Sequence, residues 1–241
     1  MVPMFGIDPL YLMLMLPALV LSIAASLLTR GTFKRYAKVP TYSGLTGAQA
    51  AERMMRSEGI LDVKVERIEG FLSDHYDPTR KVLRLSPDVY DGNSLSAVGV
   101  ACHEAGHAIQ HAHGYAPLAI RTALVPLAQF GSMSSYWIIM VGLMLGVHGP
   151  GLLLVKIGIV LFGAAVAFSL VTLPVEWDAS SRAKAHIVSS GIVSPGQEVQ
   201  AGRVLNAAFL TYIAGAISAL MTLLYYLLRS GLLGGGGRRD D

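Results

Sequence analysis

Four long runs of apolar residues limit what this chain can fold into. They cover residues 10–28, 124–147, 152–173 and 205–228, and Lys156 is the single charged side chain that they contain. A helix needs about 20 apolar residues to cross a lipid bilayer, so each run is long enough. Positive charges follow the first run instead of preceding it, which predicts a retained anchor and not a cleaved signal peptide. We therefore expect a protein that crosses the membrane four times.

The composition and the placement of the charges agree with this expectation. Hydrophobic residues make up 53% of the chain and charged residues 15%, which is unlike a soluble domain. The formal net charge of +3 does not predict nucleic-acid binding, because the basic residues lie beside apolar runs. Four lysines and arginines follow the first run, none separates the second from the third, and three lie between the third and the fourth. Since such charges stay inside, residues 30–125 and 174–204 should face the cytoplasm. Cys102 is expected to be a buried helix residue and not a nucleophile.

The segment after the first run has the pattern of a folded domain with helices and a small sheet. A capping box at residues 46–49 predicts a helix over residues 47–58. Residues 62–67 and 81–85 alternate between polar and apolar side chains, which predicts two strands. The polar stretch 70–79 between them is expected to be a loop.

A His-Glu-x-x-His motif lies on a helix that Ser94 is expected to begin and Gly114 to end. Residues four apart share a helix face, so His103 and His107 can bind one zinc ion. Glu104 can stand beside that ion and take a proton from a water. This is the arrangement of HExxH metalloproteases. The apolar lead-in to the motif is too short for a membrane span, which places the motif in the aqueous domain, close to the bilayer surface.

A catalytic zinc usually has three protein ligands and a water, so one ligand is missing from this motif. His111 shares the helix face but lies about 12 Å along the axis from the first histidine, which is too far. His113 has the spacing of the third histidine in HExxHxxGxxH proteases, but Gln110 replaces the turn glycine of that motif. Glu176, the first ionisable residue after the third apolar run, is therefore favoured as the third ligand.

Simpler interpretations of the residues around Glu176 stay open. Pro174 is expected to end the third run, so Glu176 can also be a first-turn acid that complements the dipole of a new helix. Asp178 and Arg182, four residues apart, can form a surface ion pair.

Several motifs in the same order resemble those of the YugP-type zinc-dependent membrane proteases, also described as neutral zinc metallopeptidases. The resemblance covers most of the chain. The motifs that carry it are GLTG (44–47), LSDHYDP (72–78), HEAGHAIQH (103–111), LPVEWDASSRA (173–183), LNAA (205–208) and TY (211–212).

The resemblance implies a bacterial multi-pass membrane protein with a zincin-like site on the cytoplasmic side. It is in keeping with zinc bound by His103, His107 and Glu176, and with Glu104 as the catalytic residue. The wider group includes HtpX-type quality-control proteases, in which the glutamate ligand is followed four residues later by an aspartate. In this chain that position is Ser180, so its role at the site is open.

The expected fold is a mainly α-helical multi-pass membrane protein with a zincin-like α+β cytoplasmic metalloprotease domain that contains a small β-sheet. The expected function is hydrolysis of peptide bonds in membrane or membrane-proximal proteins at the cytoplasmic face, and the alternative is a zinc-binding scaffold without proteolytic activity. The expected partners are polypeptide substrates and the lipid bilayer. The expected division is an N-terminal anchor (1–29), the zincin-like domain (30–125), a transmembrane hairpin (126–173), a cytoplasmic insert with the third ligand (174–204), a C-terminal transmembrane helix (205–229) and a disordered tail (230–241).

Two features of the reaction stay open at this stage. A substrate can add as an extra strand along residues 81–85. His75, Tyr76, Arg182 or Tyr212 can stabilise the oxyanion, and the sequence does not choose among them. It also assigns no role to His111, Asp178 or Ser180.

Overall fold

A computed structural model describes residues 8–70, 73–146 and 149–233, and most of them are helical. The chain divides into two compact units. The apolar unit contains residues 8–24, 120–171 and 213–233, and the motif unit contains residues 25–119 and 172–212. In chain order the elements are α1 (Pro9–Tyr36), α2 (Gly47–Ser57), β1 (Lys64–Arg67), β2 (His75–Asp77), β3 (Val82–Leu85), α3 (Pro87–Tyr90), α4 (Leu95–Ala112), α5 (Ala116–Met144), α6 (Gly149–Ser189) and α7 (Pro195–Arg229).

Within the described residues, four helices are long and apolar enough to cross a membrane, namely α1, α5, α6 and α7. They contain the four apolar runs, so the predicted spans are confirmed as helices of sufficient length and composition. In the apolar unit, large apolar side chains point outward with exposed fractions between 64% and 75%, as suits contact with lipid. Examples are Met13, Val20, Met133, Trp137 and Val160.

Small residues let α5 and α6 approach each other closely inside the apolar unit. A Cβ atom added to Gly131 would lie 2.3 Å from the carbonyl oxygen of Leu161, and one added to Gly158 would lie 2.5 Å from Cγ1 of Ile139. Ile139 in turn packs in a buried cluster with Val155. Such close approach at small residues is a usual way in which membrane helices associate.

From the sequence we expected a helix end at Pro174, and that expectation was wrong. Helix α6 runs unbroken from Gly149 to Ser189. A proline inside a helix removes one main-chain hydrogen bond, and α6 retains its helical structure on both sides. The reason lies after the proline, where Val175, Ala179, Ala183 and Ile187 are all buried at a spacing of four residues. This apolar stripe packs into the motif unit and holds the helix together.

The sheet of the motif unit has the strand order β1-β3-β2 in the part of the chain that the structure describes. β1 pairs with β3 in parallel and β2 pairs with β3 antiparallel. The two predicted strands are confirmed as β1 and β3. β2 lies in the stretch that we expected to be a loop, and with three residues it is too short to show alternation. Because β3 has a partner on each side, a substrate strand cannot add along residues 81–85, and that expectation was wrong.

The helices predicted for the motif unit are present with their expected caps. Gln49 N donates to Thr46 Oγ1 at 3.3 Å, and Thr46 N donates to Gln49 Oε1 at 3.0 Å, which completes the capping box. Ala97 N donates to Ser94 Oγ at 3.2 Å at the start of α4. Gly114, with φ of +63°, follows the end of α4. α2 packs against α4, and a buried core joins these helices to β3, α6 and α7. Of the predicted disordered tail, residues 234–241 lie outside the described residues.

Candidate metal centre

Helix α4 presents His103 and His107 on one face, one turn apart. Their ring centroids are 4.8 Å apart, and the rings meet edge to face. His107 is buried, whereas the side chain of His103 retains 13% of its exposure. The four-residue spacing thus places both imidazoles at one point of the core, as the sequence predicts.

Glu176 of α6 completes the group. Its Oε2 lies 3.0 Å from His103 Nε2, and its Oε1 lies 3.6 Å from His107 Nε2. One ligand atom from each of the three residues lies within 4.8 Å of the other two. The Glu176 side chain is almost completely buried. The structure therefore brings together the three residues that the sequence proposed as metal ligands.

A glycine between the two histidines explains how α6 comes so near to α4. A Cβ atom added to Gly106 would lie 2.5 Å from the carbonyl oxygen of Ala179, closer than real Cβ contacts. The two backbones therefore touch at this point. Because Ala179 lies one turn after Glu176, this contact sets the distance from α6 to the histidines.

Ser180, whose role the sequence left open, contacts the first histidine. Its Oγ lies 3.0 Å from His103 Nδ1. With the proton on Nδ1, the imidazole donates to this hydroxyl, and Nε2, which lies beside Glu176, is the nitrogen available to bind a metal. A hydrogen bond of this kind fixes the tautomer and orientation of a metal-binding histidine.

Gln110 does the same for the second histidine. Its Oε1 lies 2.9 Å from His107 Nδ1, while its Nε2 donates to the carbonyl oxygen of Val175 and to Asp178 Oδ2, both at 2.8 Å. These two partners can only accept, so the amide nitrogen must face them and the amide oxygen must face the imidazole. The proton of His107 is therefore held on Nδ1.

The other ionisable residues considered from the sequence have partners elsewhere. Asp178 Oδ2 accepts from Arg182 Nε at 2.6 Å, which confirms the expected pair. Arg182 Nη1 donates to His113 Nδ1 at 3.1 Å. His111 Nδ1 is hydrogen bonded to Tyr76 Oη at 2.7 Å, and burial raises the pKa of Tyr76 to about 12, so this hydroxyl stays protonated at neutral pH.

Glu104 lines a cavity of about 200 Å³ within the motif unit, together with His103 and Glu176 of the metal group. Glu104 is itself nearly buried. Of the four residues proposed to stabilise an oxyanion, Tyr212 lines this cavity, whereas His75, Tyr76 and Arg182, all in the described part of the chain, do not. The lining residues are Thr29, Asp74, Val100, His103, Glu104, Glu176, Ser180, Val204, Leu205, Ala208, Phe209, Thr211 and Tyr212.

The donor set of this group fits zinc. Two imidazole nitrogens and one carboxylate form the three-ligand arrangement typical of a catalytic zinc, which leaves one position for water or substrate. At His107 the bond to Gln110 holds the proton on Nδ1, which leaves Nε2, the nitrogen that faces Glu176, able to bind a metal, and the Ser180 hydroxyl can accept from Nδ1 of His103 in the same way. A carboxylate that is this deeply buried needs a bound cation or charged partners to offset its lost hydration.

Sequence reasoning missed two residues of the centre. Gln110 was considered only as the position of an absent turn glycine, although it lies three residues after His107 and therefore on the same helix face. Gly106 was not considered at all, because its role depends on a helix that lies far away in sequence.

Cys102 is fully buried beside the first histidine, as expected. Burial raises the pKa of its thiol to about 12. The thiol is therefore protonated at neutral pH, which excludes a nucleophilic role.

A chain with four potential membrane helices, in which two histidines of an HExxH helix meet a glutamate of another helix, has the features of a membrane zinc metallopeptidase. Residues 11–231 match the family described as "Putative neutral zinc metallopeptidase", and the chain belongs to this family. It is also 45% identical over 219 residues to the protein named "Putative membrane protease YugP" from Bacillus subtilis (strain 168), an alignment that covers 91% of this chain and 96% of that relative. The resemblance noted from the motifs is thus confirmed. No solved structure gives a significant match.

Proposed function

We propose that this protein is a zinc metalloendopeptidase that hydrolyses peptide bonds of membrane or membrane-proximal proteins at the cytoplasmic face. The observation that carries the proposal is the convergence of His103, His107 and Glu176 to within 4.8 Å at a cavity that Glu104 also lines. Family membership supports zinc as the cofactor.

In the proposed reaction, His103, His107 and Glu176 hold the zinc ion, and Glu104 is the general base. Bound zinc supplies Lewis-acid polarisation of the attacking water and of the scissile carbonyl. Glu104 takes the proton of the water and later passes it to the leaving amine. Tyr212, which lines the same cavity, is proposed to stabilise through its hydroxyl the charge that develops on the carbonyl oxygen.

The substrate backbone is proposed to pair with β2. This strand lies at an edge of the sheet in the described residues, whereas β3 is central. Asp74, directly before β2, lines the cavity, so a peptide extended along β2 comes close to the metal group. Main-chain pairing of this kind binds polypeptides with little regard to their side chains.

The cytoplasmic orientation rests on the distribution of basic residues. Four lysines and arginines lie in residues 30–38 and three in residues 182–203, and none lies between the second and third apolar runs. The positive-inside rule then places the zincin-like domain (30–125) and the insert (174–204) in the cytoplasm.

The decisive experiment compares the wild type with Glu104→Gln on an unfolded membrane-protein substrate, with and without a zinc chelator. We expect Glu104→Gln to retain zinc, because the three ligands are intact. It should lose activity by roughly 10²- to 10⁴-fold, the usual contribution of a general base. A wild type that binds zinc but cleaves no substrate would favour the alternative, a zinc-binding scaffold. Normal turnover by Glu104→Gln would show that Glu104 is not the base.

A further inference from the structure

One face of α7 forms part of the wall of the cavity. This α7 face consists of Val204, Ala208 and Thr211 in one row and Leu205, Phe209 and Tyr212 in the next, at helical spacings of three and four residues. Each row is apolar at first and ends in a hydroxyl. The metal group therefore shares its cavity with a surface that is mostly hydrocarbon.

The charged groups of the cavity are all acidic. None of its lining residues that the structure describes is a lysine or an arginine, whereas Asp74 and Glu104 both line it. Asp74 already accepts hydrogen bonds from Ser86, through the main-chain N at 2.7 Å and through Oγ at 3.0 Å to each carboxylate oxygen. A negatively charged side chain would be repelled here, and the carboxylate of Asp74 is engaged by its own chain.

The size of the cavity limits what can enter it. At about 200 Å³ it is smaller than the roughly 300–1,000 Å³ of pockets that enclose a whole drug-sized ligand. It therefore suits one side chain of a longer molecule whose main chain remains outside.

From these observations we propose that the α7 face binds an apolar side chain of the residue next to the cleaved bond, and that Ala208 sets the largest side chain that fits. The proposal rests on the proposed peptidase function. Ala208 is partly exposed and is the smallest residue of the α7 face, so the space above it is available to leucine, methionine or phenylalanine of a substrate.

The test begins with the zinc-loaded wild type in detergent and a synthetic peptide library, with the cleaved bonds identified by mass spectrometry. At one position beside the cleaved bond, we expect peptides with leucine, methionine or phenylalanine to have a kcat/KM at least roughly tenfold higher than peptides with alanine. An apolar pocket discriminates about 10- to 200-fold per methylene. Glutamate and aspartate should be excluded. Preference for lysine or arginine, or for no residue type, would overturn the proposal while leaving the peptidase function intact.

Two variants then test the assignment to α7. Ala208→Phe should lower kcat/KM for leucine and phenylalanine peptides about tenfold or more and spare alanine peptides. Phe209→Ala should shift the preference toward larger side chains, which keeps the test open if Ala208→Phe fails to fold. Leu210→Phe is the matched control, because Leu210 lies on the same helix with 41% of its surface exposed and does not line the cavity. Zinc content should stay unchanged in all three. An unaltered preference in both cavity variants would overturn the proposal, whereas a zinc-bound wild type that cleaves no peptide would refute the peptidase function itself.

Discussion

Gln110 and His107 are joined by a hydrogen bond of 2.9 Å between the amide Oε1 and the ring Nδ1. The amide has no freedom to reverse, because its nitrogen donates to Val175 and Asp178 on α6. The same side chain thus joins α4 to α6 and leaves Nε2 of His107, on the side of Glu176, available to bind a metal. Zinc binding should depend on this amide even though it does not touch the metal.

We expect Gln110→Met to weaken zinc binding by roughly 10- to 100-fold, as is typical when a group that orients a metal ligand is lost. Methionine preserves the volume of the side chain but cannot accept the proton of His107. The measurement is the zinc dissociation constant by competition with a chelator.

Two substitutions distinguish this orienting role of Gln110 from a role in packing alone. Gln110→Glu alone sets a carboxylate against Asp178 and should also weaken zinc binding. Adding Asp178→Asn supplies an amide donor to that carboxylate, which can again accept from His107 Nδ1. Partial recovery of zinc affinity in the double variant is expected, because the Val175 carbonyl oxygen still lacks its donor, and equal weakness in both would indicate that the hydrogen bond to His107 is not what matters.

Gly106→Ala should destabilise the protein by about 1–3 kcal/mol, the usual cost of overpacking. The new methyl group would lie 2.5 Å from the Ala179 carbonyl oxygen and would push Glu176 away from the histidines, so zinc content should fall as well. Gly99→Ala, on the same helix, meets Ala201 at an ordinary 3.8 Å and should be neutral or stabilising by roughly 0.4–1 kcal/mol. Thermal unfolding of both variants, with metal analysis, checks the contrast.

Glu176→Ala should release zinc, because a direct ligand contributes at least as much as the 10- to 100-fold typical of orienting groups. His113→Ala should keep it, since His113 contacts Arg182 and lies 3.9 Å from Glu58 at its other ring nitrogen. Metal analysis of the purified variants decides the matter. If His113→Ala loses zinc while Glu176→Ala retains it, the third ligand is His113 and not Glu176.

Cysteine labelling tests the orientation. Leu61 and Val199 are good positions, because their side chains are 80% and 62% exposed and both lie in the motif unit. On a Cys102→Ala background, Leu61→Cys and Val199→Cys should react with a membrane-impermeant reagent after the cells are permeabilised and not before. Labelling in intact cells would show that the motif unit faces the outside of the cell, the reverse of the proposed orientation.

The elements that could be predicted from the sequence are those with local signals. The four apolar runs, the capping box at Thr46 and the cap at Ser94 each depend on a few neighbouring residues, and all of them are present. The histidine pair was predictable for the same reason, because helical spacing alone places it on one face.

The features that could not be predicted depend on distant contacts. The sequence of β3 gives no sign that it is the central strand, because strand order depends on which segments pair. Pro174 is a local signal for a helix end, yet buried residues after it keep α6 intact. The position of Ala179 beside Gly106 joins helices that are far apart along the chain, so no local pattern indicates it.

The distance along the chain between the ligands has a consequence for biosynthesis. Glu176 follows His103 by 73 residues, and all of α5 and most of α6 must be translated between the two. A nascent chain that ends before α6 carries the complete HExxH motif but lacks the carboxylate that closes the metal group, so we expect it to bind zinc poorly. The metal group of the proposed peptidase is therefore complete only after the second and third apolar runs have been translated.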